Sequence, residues 1–108
     1  MAKLERQFSG GFDALLRRID DAVMGGSFTA TLEELSDFRD GNCRCSVRVY
    51  ERYSWMGSNR VSMSVTLFQG PSGMVHLSAT TSGGSQAAFL KLNTFGEEAF
   101  LDTLRAVL

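Results

Sequence analysis

Two cysteines one residue apart, three arginines at four-residue spacing and a single histidine are the side chains here best suited to chemistry. Cys43, Cys45, Arg44, Arg48 and Arg52 share one stretch, 42-NCRCSVRVYERY-53, with Tyr50 among them. A Cys-X-Cys pair suggests a metal or redox centre, and an arginine stripe suggests an anion site. The spacing argues against the first. On a strand, i and i+2 side chains point the same way with Cα atoms about 6.6 Å apart, a poor geometry for a disulfide. Zinc needs two further ligands, and the alternation puts His76, the only histidine, on the opposite face. The cysteines therefore read as inward-facing core residues beside Val47 and Val49, with no metal and no cofactor expected.

The arginines are read by register. If Asp40-Gly41 centres a hairpin, Arg44 faces Asp37 and Arg48 faces Glu33, a cross-strand charge ladder on the outer face. Arg52 is left without an acidic partner. His76 falls beside Thr66 with no carboxylate or nucleophile next to it, so it lacks the partner that general-base chemistry requires.

Glycine-rich turns supply the one candidate ligand site. The register brings Arg52, Trp55 and Arg60 to the same end of a sheet as Ser82, Gly83, Gly84, Ser85 and Gln86. Glycine lets backbone N–H groups approach an anion, and these hydroxyls, Gln86 and arginines suit a small polar ligand. Neither loop carries the GxxxxGK[ST] phosphate signature.

The elements that must position these residues are legible from periodicity. Residues 3–9 read as a strand ended by Gly10-Gly11. Phe12, Leu15, Leu16, Ile19, Ala22 and Val23 fall at helical spacing, with Ser9 as N-cap and Gly25-Gly26 as the stop. From Ser27 the period becomes two, with Phe28, Ala30 and Leu32 on one face. Strands follow over 43–53, 60–68 and around Val75–Thr80, and 86–92 reads as a last strand or a short helix. Thr94 and Glu97 form a capping box before a helix carrying Phe100, Leu101, Leu104, Val107 and Leu108. The expectation is one α+β domain over residues 1–108, a helix-grip-like antiparallel meander of five to six strands with two helices on one face, ordered β-α-β-β-β-β-β-α.

Composition bounds the function. The chain has 108 residues, 44% hydrophobic and 21% charged, with a net charge of −1. It lacks the basic excess of a nucleic-acid binder and any apolar run near the ~20 residues of a membrane span. Two cysteines and no leader-like N-terminus suit the cytoplasm. The outer sheet face, with Tyr50, Phe68 and Phe89 among hydroxyl and charged side chains, has the mixture of an interface. A non-enzymatic ligand-binding or protein-interaction domain, dimeric through that face, is the leading expectation. A carrier of an apolar molecule held between helices and sheet is the alternative. A small hydrolase ranks last, for want of a catalytic constellation.

The segments RVYERYS, NRVS, SATTSGGSQAAF and LNTFGEEAFLDTL resemble a family of short, uncharacterised bacterial proteins, mostly from Gram-positive anaerobes. The resemblance implies a bacterial setting and a domain of unknown function, and it assigns no site residue.

Overall fold

The computed structural model describes residues 1–53, 59–83 and 90–108, the last group with side chains from Gly96 onward. Strand β1 (Ala2–Phe8) precedes helix α1 (Phe12–Gly25). Then come β2 (Thr31–Asp40), β3 (Cys43–Tyr53), β4 (Arg60–Gln69), β5 (Val75–Gly83) and helix α2 (Leu90–Arg105). The strands form one antiparallel sheet in the order β1-β5-β4-β3-β2. Both helices cover one face, as the apolar stripe on each helix and the apolar face of β4 and β5 demand. No helix among the described residues is long and apolar enough to cross a membrane.

The core lies between that face and the helices. Ile19 and Val23 of α1, Phe100, Leu101 and Leu104 of α2, Val61, Met63 and Leu67 of β4 and Val75 and Ala79 of β5 are fully buried. Helix α1 starts at a glycine instead of the expected Ser9 cap. Gly11 sits at φ +77°, has no side chain to cap with, and offers its carbonyl to the Leu15 N–H at 2.8 Å. Gly26 caps the other end, its N–H donating to the Val23 carbonyl at 3.3 Å.

Several expectations are corrected. The two-residue turn between β2 and β3 is Gly41-Asn42, with Gly41 at φ +58°, so Asp40 pairs with Cys43 and the register moves by two from the one expected. Arg44 then opposes Arg39 and Arg48 opposes Leu35, and the cross-strand acid ladder does not form. Strand β2 begins at Thr31, leaving Phe28 fully exposed in the preceding turn, and a bulge between Leu32 and Glu34 interrupts its pairing. Leu90 opens α2, so the end of the 86–92 segment is helical and its residues 86–89 lie outside the described ones.

The expected capping box is also absent. Thr94 lies inside α2, and the buried Glu97 carboxylate is used elsewhere. Its Oε1 accepts from the Met1 ammonium at 2.7 Å and its Oε2 from the Gly83 N–H at 2.9 Å. Thr81 Oγ1 adds a bond to the Glu97 carbonyl at 3.1 Å. Glu97 thus ties α2 to the ends of β1 and β5, and a tertiary ion pair displaces a local cap.

Candidate functional site

The two faces of β3 are the reverse of what its own alternation suggests. Ser46, Arg48, Tyr50 and Arg52 pair with Leu67, Val65, Met63 and Val61 of β4 and share their face. Directly opposite residues in an antiparallel pair point the same way. The four buried β4 side chains therefore carry the polar set of β3 under the helices. Cys43, Cys45, Val47 and Val49 turn outward, half-buried.

Helix α1 is what makes this tolerable. Arg44 makes a two-pronged contact with Asp13, at 3.1 and 3.0 Å, while its guanidinium lies 4.1 Å above the Phe12 ring. The hydrogen bond to Arg44 lowers the Asp13 pKa below the usual carboxylate range. Arg48 approaches Asp20 at 3.7 Å, and the Tyr50 hydroxyl donates to the same carboxylate at 3.1 Å. Tyr50 is fully buried. Burial first, and then the Asp20 charge, push its phenol up to about 12. The arginine stripe is a clamp for α1. Seven helical residues from Asp13 to Asp20 rise about 10.5 Å, and four strand residues from Arg44 to Arg48 about 13 Å. That match of periods is the sequence signal that leads to the acidic partners.

Arg52 closes the row over the Phe100 ring at 4.5 Å. It has no carboxylate partner among the described residues, and burial lowers its pKa. The register does bring Arg52, Arg60, Ser82 and Gly83 to one end of the sheet, but on two faces. Arg60 lies on the open face, held by Glu51 at 2.7 Å and Glu33 at 3.8 Å and stacked on Tyr53. Ser82 shares a 3.0 Å hydrogen bond with Ser62, and the Gly83 N–H is committed to Glu97. A single pocket using both arginines is not built by these residues. Trp55, Gly84, Ser85, Gln86 and Phe89 lie outside the described residues.

The open face carries the more distinctive pattern. Ser62, Ser64 and Thr66 of β4 stand opposite Ser82, Thr80 and Ser78 of β5, three hydroxyl pairs across the two strands. Phe68 follows opposite His76, their rings 6.2 Å apart. His76 is thus beside Phe68 and Gln7, not Thr66. On β3, Val49, Val47 and Cys45 continue the face toward Phe38 of β2. Among the described residues charge lies at the margins, in Lys3–Glu5 on β1, Glu33, Glu34 and Asp40 on β2 and Arg60–Glu51 at one end. Tyr50, expected on this face, is absent from it. Phe68 is present and 43% exposed. An open depression of about 560 Å³ beside Phe68 and His76 is bordered by Glu5, Gln7, Thr66 and Ser78.

Over its full described topology the sequence matches a family of unknown function, DUF6054, across residues 1–108. The chain belongs to that family. No curated protein and no solved structure is similar to it at a significant level. In this member of DUF6054 the uncharged centre of the open face sets that surface apart from the salt-bridged helix side.

Proposed function

We propose that the chain is a non-enzymatic interaction domain of the bacterial cytoplasm that pairs with a second copy through the open sheet face. One observation carries this reading. Val47, Val49, Cys45 and Phe68 are partly exposed on a face that no described element covers, beside an uncharged serine and threonine ladder. Interface centres are depleted in charge, and the described charges of this face lie at its margins, in Lys3–Glu5, along β2 and in Arg60–Glu51.

Its size fits as well. Five strands at about 4.8 Å and about ten residues at about 3.3 Å give on the order of 800 Å², close to the ~800 Å² each partner buries in a standard interface. A patch of one composition on one face is self-complementary, as a two-fold dimer requires. The free thiols of Cys43 and Cys45 suit a reducing compartment.

The test is sedimentation velocity on the wild type and on the double variant Val47→Glu, Val49→Glu. The wild type should be a dimer at micromolar concentration, and the variant a folded monomer. A monomeric wild type, or a variant that still dimerises, refutes the reading.

A second reading rests on the depression beside Phe68 and His76, whose volume lies within the range of small-molecule sites. A small polar ligand there predicts a bound mass in native mass spectrometry that is lost in Phe68→Ser. An apolar cargo between helices and sheet competes for space already filled by Met63, Leu67, Phe100 and Leu104.

A further inference from the structure

We propose that the free edge of β2 takes up an extended, basic segment of a partner protein as an additional strand. The proposal concerns a different surface from the open face and stands independently of the dimer.

Among the described residues, strand β2 lies at the end of the sheet and pairs only with β3. All ten of its residues are exposed, and Leu32, Leu35 and Phe38 are 37%, 44% and 62% accessible. A long edge strand with exposed apolar side chains is a ready template for β-addition. The other edge is less suited, because β1 is seven residues long and has Ala2 and Leu4 buried.

The available backbone groups follow from the register. The two-residue turn makes Asp40 and Cys43 a hydrogen-bonded pair, and alternation then commits Phe38, Ser36 and Glu34 to β3. Leu35, Asp37 and Arg39 therefore direct their N–H and C=O groups away from the sheet. These are the groups an incoming strand would use.

Charge selects the occupant. Residues 31–40 hold four carboxylates, Glu33, Glu34, Asp37 and Asp40, against the single Arg39. Among the described residues, Glu34, Asp37 and Asp40 form no ion pair. A second copy of β2 would bring like charge against like charge, which cross-strand pairing penalises. Glu34 and Asp40 lie on the open face, opposite Val49 and Cys43, and Leu35 lies on the other face, opposite Arg48. A strand bearing lysine or arginine at alternate positions meets these two carboxylates as opposite-charge pairs and lays its apolar residues beside Leu35.

The experiment titrates the full chain with a short, end-blocked peptide alternating valine with lysine. A matched peptide alternating valine with glutamate serves as control, and backbone amides are followed by NMR. The lysine peptide should shift Leu35, Asp37 and Arg39 most, and salt should weaken its binding. Leu35→Pro removes one outward N–H at an edge position where proline is tolerated, and should cut affinity about tenfold or more. Leu35→Ala keeps that N–H and should retain most of the binding.

If Leu35→Pro unfolds the chain, the pair Glu34→Lys, Asp40→Lys, two carboxylates of one face, replaces it and should reverse the preference toward the glutamate peptide. No shift, shifts centred on the open face, equal binding of both peptides, or a charge-reversed pair that keeps the lysine preference would overturn the proposal. So would self-association of the wild type that Leu35→Pro abolishes, because the occupant would then be a second copy.

Discussion

Replacing Tyr50 and Val49 in turn by alanine tests which face of β3 is the inner one, the point on which the site depends. Tyr50 is fully buried against the helical layer and bonds Asp20 through its hydroxyl. Truncating a buried aromatic costs roughly 3–5 kcal/mol, and the lost hydroxyl bond accounts for about 1 kcal/mol of that. Val49, half-buried on the open face, loses two carbons that are only partly withdrawn from water, so Val49→Ala should cost under ~1 kcal/mol. The conservative Tyr50→Phe isolates the hydroxyl and should cost about 1 kcal/mol. Urea unfolding followed by circular dichroism, at one fixed protein concentration, gives all three values, and midpoints should fall without a change in slope. The inward-cysteine pattern of the sequence inverts the order, making Val49→Ala the costly change and Tyr50→Ala a mild one. That inverted order would refute the face assignment and remove the open face as described.

The remaining predictions concern charge and access. Tyr50 should titrate at about 12 against an ordinary 10.0. Its folded pKa is raised, so its contribution to stability is complete below pH 10 and is lost as pH rises toward about 12. Tyr50→Phe should flatten that alkaline decline in unfolding midpoints. Asp13 has the opposite sign. Its pKa is lowered by Arg44, so the stabilisation is present above the ordinary carboxylate range and lost as pH falls through the folded value, and Asp13→Asn should shallow the acid limb of the same profile. Glu97→Gln keeps the shape of the side chain but removes the ion pair to Met1. It should cost about 1–3 kcal/mol and raise amide exchange at Gly83. Maleimide labelling of Cys43 and Cys45 should slow as protein concentration rises, if the face they share is buried by dimerisation. A concentration-independent rate would count against that interface.

The sequence makes the elements legible and the sheet's handedness of facing much less so. Phe12, Leu15, Leu16, Ile19 and Val23 mark α1 with no competing pattern, and all five are buried. Strand β4 is equally plain, since Val61, Met63, Val65 and Leu67 alternate and are all buried. On β3 both sets alternate cleanly, one small and apolar, the other long and charged. Hydropathy alone favours the valines as the inner set. The decision is made by β4, whose larger side chains fix the inner face, and by Asp13 and Asp20, which accept the arginines at the margin of the helical layer.

The register differs by two from the one read from the sequence in the β2–β3 and β4–β5 hairpins, whose turns centre one residue later, and a shift of two preserves facing. Between β3 and β4 it differs by one, which turns Arg48, Tyr50 and Arg52 to the helix side while Arg52, Arg60, Ser82 and Gly83 stay at one end. The Thr94–Glu97 signal failed differently. A capping box contributes about 1 kcal/mol, and a buried carboxylate with an ammonium and an N–H to satisfy outweighs it.

The pairing of β1 with β5, Ala2 opposite Thr81 and Phe8 opposite Val75, has a consequence for the order of assembly. Strands β2 to β5 are neighbours in sequence and in the sheet and can zip together locally, whereas β1 has no partner until β5, Val75–Gly83, has been made. Closing so long a loop is an entropic step that local contacts do not reward. The nascent chain must therefore carry β1 and its attached helix unplaced while the meander forms, and seat them last. Mutations in β1 should then speed unfolding and leave the folding rate nearly unchanged.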